Sequence, residues 1–286
     1  MDRFTRMANE GKAFLVDGSE DGQQDDAMRD DQHQQMSDPF VDAARFYHCR
    51  PAYPAAAIQW IADELHLDGR GRMLDVGCGT GYVCLRFAGK FAWIIGIDPS
   101  EPMLAEAASI ASVRRLAEFE FRRLRAEDLP AGLGTFRLIT FGASFHRVNQ
   151  EHVTELVYGM LEPQGGLALL FPPVPWRGDS SWKVALRQTV KEWTGMTLGG
   201  PFEPSQNVIG RSRFGAYKVR SFQEDHIWST AQLVGFLLST SFCSPAILPA
   251  RAHEFEMDLA TALLEAHPDG RFPDMLETTV VLSRKP

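Results

Sequence analysis

The sequence predicts an α/β fold, a mostly parallel sheet with helices on both faces, and three observations carry that prediction. Short apolar runs alternate with amphipathic, helix-like runs from about residue 55 to residue 171. One of these runs, "LDVGCGTGYVCLRF" at 74–87, reads as a strand, then places glycines at 77, 79 and 81, then turns apolar again. The chain closes on a clean strand pattern, "ETTVVLSR" at 277–284.

The elements follow in order. Residues 40–67, "FVDAARFYHCRPAYPAAAIQWIADELHL", read as two helical pieces around a turn interrupted by Pro51 and Pro54. The second piece carries Ile58, Ile61, Ala62 and Leu65 at helical spacing. "RMLDVG" at 72–77 is a buried strand, 80–88 a helix, and "AWIIGID" at 92–98 a second strand. "SEPMLAEAAS" is a helix with Ser100 as N-cap. "FEFRRL" at 119–124 and "FRLITFG" at 136–142 are the third and fourth strands. A helix over 149–161 ends at Pro163 and the Gly165-Gly166 pair, and "GLALLF" at 166–171 is a fifth strand.

The rhythm changes at residue 172. Residues 172–215 are rich in Pro, Gly and Trp, with one amphipathic helix from Ser180 to Trp193. "YKVRSFQEDHIW" at 217–228 resumes a strand, and 230–240 and 252–267 are helical. No internal repeat is present. The prediction is one domain over 39–286 with an insertion at 172–215, preceded by a tail at 1–38.

Composition bounds the function. The chain has 286 residues and a net charge of -8. The stretch 17–38 alone holds eight acids and one arginine, so the remainder is close to neutral. That stretch has almost no large apolar residues and is expected to be disordered. No run of apolar residues reaches membrane-spanning length, and the N-terminus lacks a signal-peptide core. Cys49, Cys78, Cys84 and Cys243 form no CxxC pair and no cluster with histidine. The expectation is no metal, no disulfide framework and a cytoplasmic setting.

The glycine turn predicts a nucleotide-type cofactor at a helix N-terminus. A dinucleotide fingerprint, G-x-G-x-x-G, would need a third glycine where Tyr82 stands. Asp75, two residues before Gly77, would repel a pyrophosphate and favour an ammonium group. Asp98 ends the second strand, where an acid suits a ribose diol. A nicotinamide-dependent oxidoreductase is therefore disfavoured.

"LDVGCGTG" together with "GIDPSEPML", "RAEDLP" and "ITFGASFH" resembles the class I S-adenosylmethionine-dependent methyltransferases over roughly residues 44–171. "YHCRPAYP" at 47–54 is similar to the Y-x-x-R-P-x-Y-P segment of the methyltransferase type 11 or trans-aconitate methyltransferase-like subgroup. The resemblance implies a Rossmann-like, seven-stranded sheet and S-adenosylmethionine as cofactor. It implies that Asp75 and the turn of Gly77, Cys78, Gly79, Thr80 and Gly81 hold the methionine part, and that Asp98 binds the ribose. Pro99 and Met103 would pack on adenine, Ala126 and Glu127 would border its amino edge, and Ala143 and Ser144 would close the floor. Tyr47 and Arg50 would reach over the cofactor, Arg50 meeting its carboxylate.

Ligands of open α/β sheets sit beyond the carboxyl ends of the strands, which makes His146 in "ASFHRVN" the first candidate base and His226 the second. Many relatives resemble this segment but carry Trp where this chain has Arg147. Trp176, Trp182, Trp193 and Phe202 in the insertion would serve as an aromatic lid or merely cover the sheet. The expected acceptor is a small molecule with an O, N or C nucleophile. An RNA acceptor is the alternative, supported by the arginines of "VRRLAEFEFRRLR" but by no recognisable RNA-binding module. A further alternative keeps the fold without methylation, as a cyclase or with a structural cofactor. The residues leave the oligomeric state open.

Overall fold

The structure, a computed structural model, describes residue 40, residues 42–199 and residues 205–286. The expected tail at 1–38 and Phe202 lie outside the described residues. Among the described residues seven strands form one sheet: β1 (Arg72–Val76), β2 (Trp93–Asp98), β3 (Phe119–Arg123), β4 (Phe136–Gly142), β5 (Leu161–Phe171), β6 (Lys218–Ser229) and β7 (Arg271–Arg284). Their order is β3-β2-β1-β4-β5-β7-β6. The first five pair in parallel, while β7 runs antiparallel to β5 and to β6. The predicted mostly parallel, seven-stranded Rossmann-like sheet is what forms.

Successive strand residues point to opposite faces, and both faces are covered. Met73, Ile94, Leu138 and Ala168 enter one core with Ile58 and Ile61 of α1 (Ala55–Glu64) and Leu104 and Ala111 of α2 (Glu101–Val113). Their neighbours Leu74, Ile95, Ile139 and Leu169 enter the other core. Val153 and Val157 of α3 (Gln150–Met160) and Ile209 of α5 (Ser205–Arg211) pack there. The apolar runs with no polar alternation are thus explained by burial on two sides.

A third core belongs to the late part of the chain. β5 reaches β7 only from Phe171, opposite Thr279, to Gly166, opposite Arg284. β6 stays with β7 all the way to Ser229 opposite Arg271. The distal half of this two-stranded ribbon therefore runs past the carboxyl end of β5. There it carries a cap of α4 (Ser181–Thr194), α6 (Thr230–Leu238) and α7 (Ala252–Ala266). Trp182, Leu186, Phe236, Leu237, Phe255, Leu259, Trp228 and Phe272 fill its core.

Several expectations are corrected. The helix expected over 80–88 is a 3-10 turn at Cys84–Phe87. Gly81 sits at φ +79°, which no α-helix admits, and the Cys84 N–H is taken by the Asp75 carboxylate at 3.1 Å. β5 starts at Leu161 rather than 166, with a register shift opposite Phe136–Leu138 that absorbs the Pro163–Gly165 stretch. β7 starts at Arg271 rather than 277, because the long β6 gives it a partner there. Helix α5 falls where no helix was expected. Ser100 occupies the N-cap position of α2, but its side chain does not cap; its backbone N–H goes to Asp98 Oδ1 at 2.9 Å.

The insertion is only part of the cap. Trp182 packs on Phe272 with ring centroids 5.6 Å apart, and Trp193 on Phe255 at 5.7 Å. The aromatic face of α4 is therefore spent in the cap's own core. It covers the far end of β6 and β7, through Trp228 and Phe272, rather than the parallel strands.

Candidate functional site

The glycine turn connects β1 to the 3-10 turn, and left-handed backbone at Gly77, Gly79 and Gly81 gives it its shape. A Cβ on Gly77 would stand 2.5 Å from the Ser144 Cβ. That close approach lets Ser144 Oγ donate to the Val76 carbonyl at 2.6 Å, pinning the loop after β4 to the end of β1. Ala143, just before it, also has positive φ, +54°. Cys78 and Thr80 are buried, and the Cys78 N–H donates to the Ile97 carbonyl at 3.0 Å. Burial pushes the Cys78 thiol well above its ordinary pKa, which removes it as a nucleophile.

Asp98 closes β2 under the turn. Its Oδ2 accepts the Gly79 N–H at 2.9 Å, so the turn and the acid position each other. Pro99 accepts from Arg123 Nε at 3.2 Å, and Met103 is buried on α2. Ala126 belongs to the core, while Glu127 accepts the Asn149 N–H at 3.2 Å at the start of α3.

Asp75 differs from its expected place in the mouth of the turn. It is fully buried, with Oδ1 accepting from Thr140 Oγ1 at 2.6 Å and Oδ2 from the Cys84 N–H. Both oxygens are engaged inside the protein, where the acid ties β1 to β4 and to the segment after the turn. Burial, reinforced by the charge of Asp98, raises its pKa to about 7 against these two stabilising bonds.

Tyr47 and Arg50 come from the 3-10 turn Ala44–Cys49 and the residue after it. The Tyr47 ring lies over Gly79, 3.7 Å from where a Cβ there would stand, and meets Tyr82 edge-on at 6.3 Å. The Arg50 guanidinium stacks on Tyr47, 4.3 Å from the ring centroid. It also donates to Ser239 at the end of α6, from Nε to the hydroxyl and from Nη2 to the carbonyl, each at 2.8 Å. Tyr82 Oη in turn donates to the Arg50 carbonyl.

His146 and Arg147 follow β4 at the same edge. Arg147 donates to Ser241 Oγ at 2.6 Å and feels the charges of Tyr47, Arg50 and Asp98, so these groups form one cluster. Among the described residues neither Arg50 nor Arg147 has a carboxylate within ion-pair distance. His146 is exposed by surface area, yet protein crowds its ring. Desolvation first, then the Arg147 guanidinium, hold its pKa down at about 4, so it is neutral at pH 7.

His226 lies elsewhere, in the distal ribbon. It packs edge-on against Trp228 at 4.6 Å and feels the charges of Asp274 and Glu224. Sequence reasoning missed Ser239, Ser241, Phe236, Phe242 and Tyr82. Trp176 meets Phe236 and Phe242 edge-on, both at 5.9 Å, and Phe236 lies 5.4 Å from the Arg50 guanidinium. No periodicity or spacing in "STSFCS" at 239–244 singles this segment out. Among the described residues no cluster is placed to hold a metal ion, the four cysteines are free, and no helix is long and apolar enough to cross a membrane.

Comparisons with known proteins agree with this geometry. A family model described as a methyltransferase domain matches residues 73–165, which span the turn, Asp98 and His146. The tRNA U34 carboxymethyltransferase of Hahella chejuensis is 35% identical over 128 residues, 43% of this chain and 39% of that one. The protein named "Probable S-adenosylmethionine-dependent methyltransferase CRG1" of Saccharomyces cerevisiae is 30% identical over 187 residues, 64% of this chain and 63% of that one. The chain thus spans less than two thirds of either relative. The crystal structure of the YcgJ protein from Bacillus subtilis shares the fold, with a TM-score of 0.53 at 17% identity over 81% of this chain and 99% of that one. The matched domain, the strand order and the glycine turn resting on Asp98 support a class I S-adenosylmethionine-dependent methyltransferase domain over residues 73–165, with S-adenosylmethionine as the cofactor.

Proposed function

We propose that the protein transfers a methyl group from S-adenosylmethionine to an oxygen, nitrogen or carbon nucleophile of a small, partly apolar molecule held beneath the cap. The observation that carries this reading is the half-buried pair of Trp176 and Phe242, ring centroids 5.9 Å apart, beside the Ser239 and Ser241 that Arg50 and Arg147 reach.

The residues fit the cofactor. The Ser100 hydroxyl is buried and has no hydrogen-bond partner among the described residues, one position past Asp98-Pro99. A ribose or adenine seated there would satisfy it. Asp98 would take the ribose hydroxyls, Pro99 and Met103 the adenine face, and Ala126 and Glu127 its edge. Ala143 and Ser144 would floor the site, and the Gly77–Gly81 turn would follow the methionine chain. Arg50, with Nη1 not used by Ser239, would meet the carboxylate.

When bound, the cofactor supplies an electrophilic methyl group on a sulfonium. The protein's share is alignment and exclusion of water, which the cap and Tyr47 provide. A neutral His146 accepts a proton at a ring nitrogen from an acceptor hydroxyl or amine.

An RNA acceptor is the second reading, favoured by the tRNA-modifying relatives and by exposed Arg114 and Arg115. Against it, Arg122, Arg123 and Arg125 beside them are paired with Glu120, Glu101 and Glu127. Calorimetric titration with S-adenosylmethionine, S-adenosylhomocysteine and NADH tests the cofactor site. S-adenosylhomocysteine formation is then followed with a small-molecule panel and with bulk tRNA. Binding of the sulfur cofactors and turnover by the panel are expected. Turnover only with tRNA moves the reading to RNA, and cofactor binding without any acceptor-dependent turnover moves it to a non-methylating role.

A further inference from the structure

β6 ends the sheet order, and its register with β7 runs unbroken over twelve residues. It contains no proline, and all its residues except Phe222, His226 and Trp228 are exposed. A long bare edge is a template for pairing with another strand unless charge, proline or a bulge blunts it. Here the charges do not carry one sign. Lys218 and Arg220 precede Phe222, and Glu224 and Asp225 follow it. Among the described residues Arg220, Glu224 and Asp225 make no ion pair, whereas Lys218 pairs with Glu64 at 2.6 Å.

We propose that β6 is a self-association edge on which a second copy of this chain pairs antiparallel, about a two-fold axis through Phe222, to join two seven-stranded sheets into one. A two-fold axis normal to the sheet keeps the faces of both strands in common, so it can pass only through a residue position or midway between two same-face positions. The register centred on Phe222 opposes Arg220 of one copy to Glu224 of the other, and does so twice. It also opposes Tyr217 to Ile227 twice, matching two apolar side chains that are 39% and 49% exposed. Opposite charges and apolar pairs at directly opposed positions are what stabilise antiparallel ladders. The next register toward the N-terminus opposes Lys218 to Glu224 instead. It draws on a lysine already committed to Glu64 and pairs neither Tyr217 nor Ile227 with an apolar side chain, whereas the register centred on Phe222 pairs both and sets one apolar residue, Val219, against Asp225.

Sedimentation equilibrium of the full chain over a wide concentration range tests this, with Arg220→Glu, Glu224→Arg and the double variant beside it. Each side chain is exposed, and near-ultraviolet circular dichroism checks that the variants keep the native fold. The expected result is a dimer that each single variant weakens about tenfold or more, because each turns two attractions into two repulsions. The double variant should recover the dimer, because the charges are opposite again. A monomeric wild-type chain at every concentration overturns the proposal. So does a dimer indifferent to the single variants, which would use another face, and so does a double variant that stays monomeric.

Discussion

Arg50 and Ser239, 189 residues apart in sequence, are joined by two hydrogen bonds of 2.8 Å, one to the hydroxyl and one to the carbonyl that ends α6. The cation also sits where the helix dipole favours positive charge. One side chain therefore fastens the N-terminal cover of the glycine turn to the cap. Arg50→Ala is expected to cost about 1–3 kcal/mol in thermal or chemical unfolding. It should also weaken S-adenosylhomocysteine binding in calorimetry. Arg50→Lys keeps the charge but not the fork, and should recover less than half of either loss. Unchanged binding in both variants would remove Arg50 from the cofactor site.

Asp75 is buried with a pKa near 7, above the value of an unfolded aspartate. The folded state therefore binds the extra proton between about pH 4 and 7. The stabilisation from that proton is complete below pH 4 and is lost as pH rises through 7. Asp75→Asn mimics the protonated acid, with the amide donating to Thr140 Oγ1. The variant should lose this part of the pH dependence, seen as a flatter melting-temperature profile between pH 5 and 8. A profile parallel to wild type would show that Asp75 stays ionised.

His146 has its pKa depressed to about 4, so the folded protein binds fewer protons than the unfolded chain between about pH 4 and 6.5. Its contribution to stability is lost as pH falls through that window, and the neutral ring is available as a base above it. Methyl transfer should show no acid limb near pH 6.5. His146→Gln should lower kcat by about 10²–10⁴-fold with S-adenosylhomocysteine affinity unchanged. A fall in affinity with kcat preserved would make His146 a binding residue instead.

Gly77 has φ +66°, and a Cβ there would collide with Ser144. Gly77→Ala should destabilise the fold by about 2–4 kcal/mol through strain and overpacking together. Adding Ser144→Gly removes the collision but not the strain, so unfolding experiments should recover only part of the loss.

Lys183 and Asp274 form an ion pair with both side chains buried, and Asp274 also accepts from Trp228 Nε1 at 3.1 Å. Lys183→Met leaves an uncompensated carboxylate between α4 and the ribbon. The expected cost is about 3–5 kcal/mol by chemical denaturation. A neutral result would mean that water replaces the lysine.

The parallel sheet was legible because strands buried on both faces cannot alternate polar and apolar residues. Leu74 and Met73 are both apolar for that reason. The glycine turn and Asp98 were legible because left-handed backbone and an acid at a strand end are local features. The place of Asp75 was not. Whether a strand carboxylate faces the mouth of a turn or the segment beyond it is decided by Thr140 and Cys84, which are 65 and 9 residues away. The cap failed for a similar reason. Trp182 and Trp193 announce an apolar helix face in sequence, but only Phe272 and Phe255 decide what that face meets. Ser239 and Ser241 carry no periodic signal at all, since their role exists only through the arginines that reach them.

The β6–β7 ribbon has its near half in the sheet and its far half in the cap. The same two strands are thus ordinary backbone to both cores, and no flexible joint separates them. A cap so mounted behaves as a bracket and not as a swinging door. To tilt, it must wind or unwind the sheet edge, and every ladder bond along twelve paired positions resists that. In the proposed reaction, acceptor and product pass by side chains and by connections such as 172–180 and 239–251, which leave the ribbon alone. The cap's core of α4, α6 and α7 and the two cores of the parallel sheet are packed separately, joined by the ribbon.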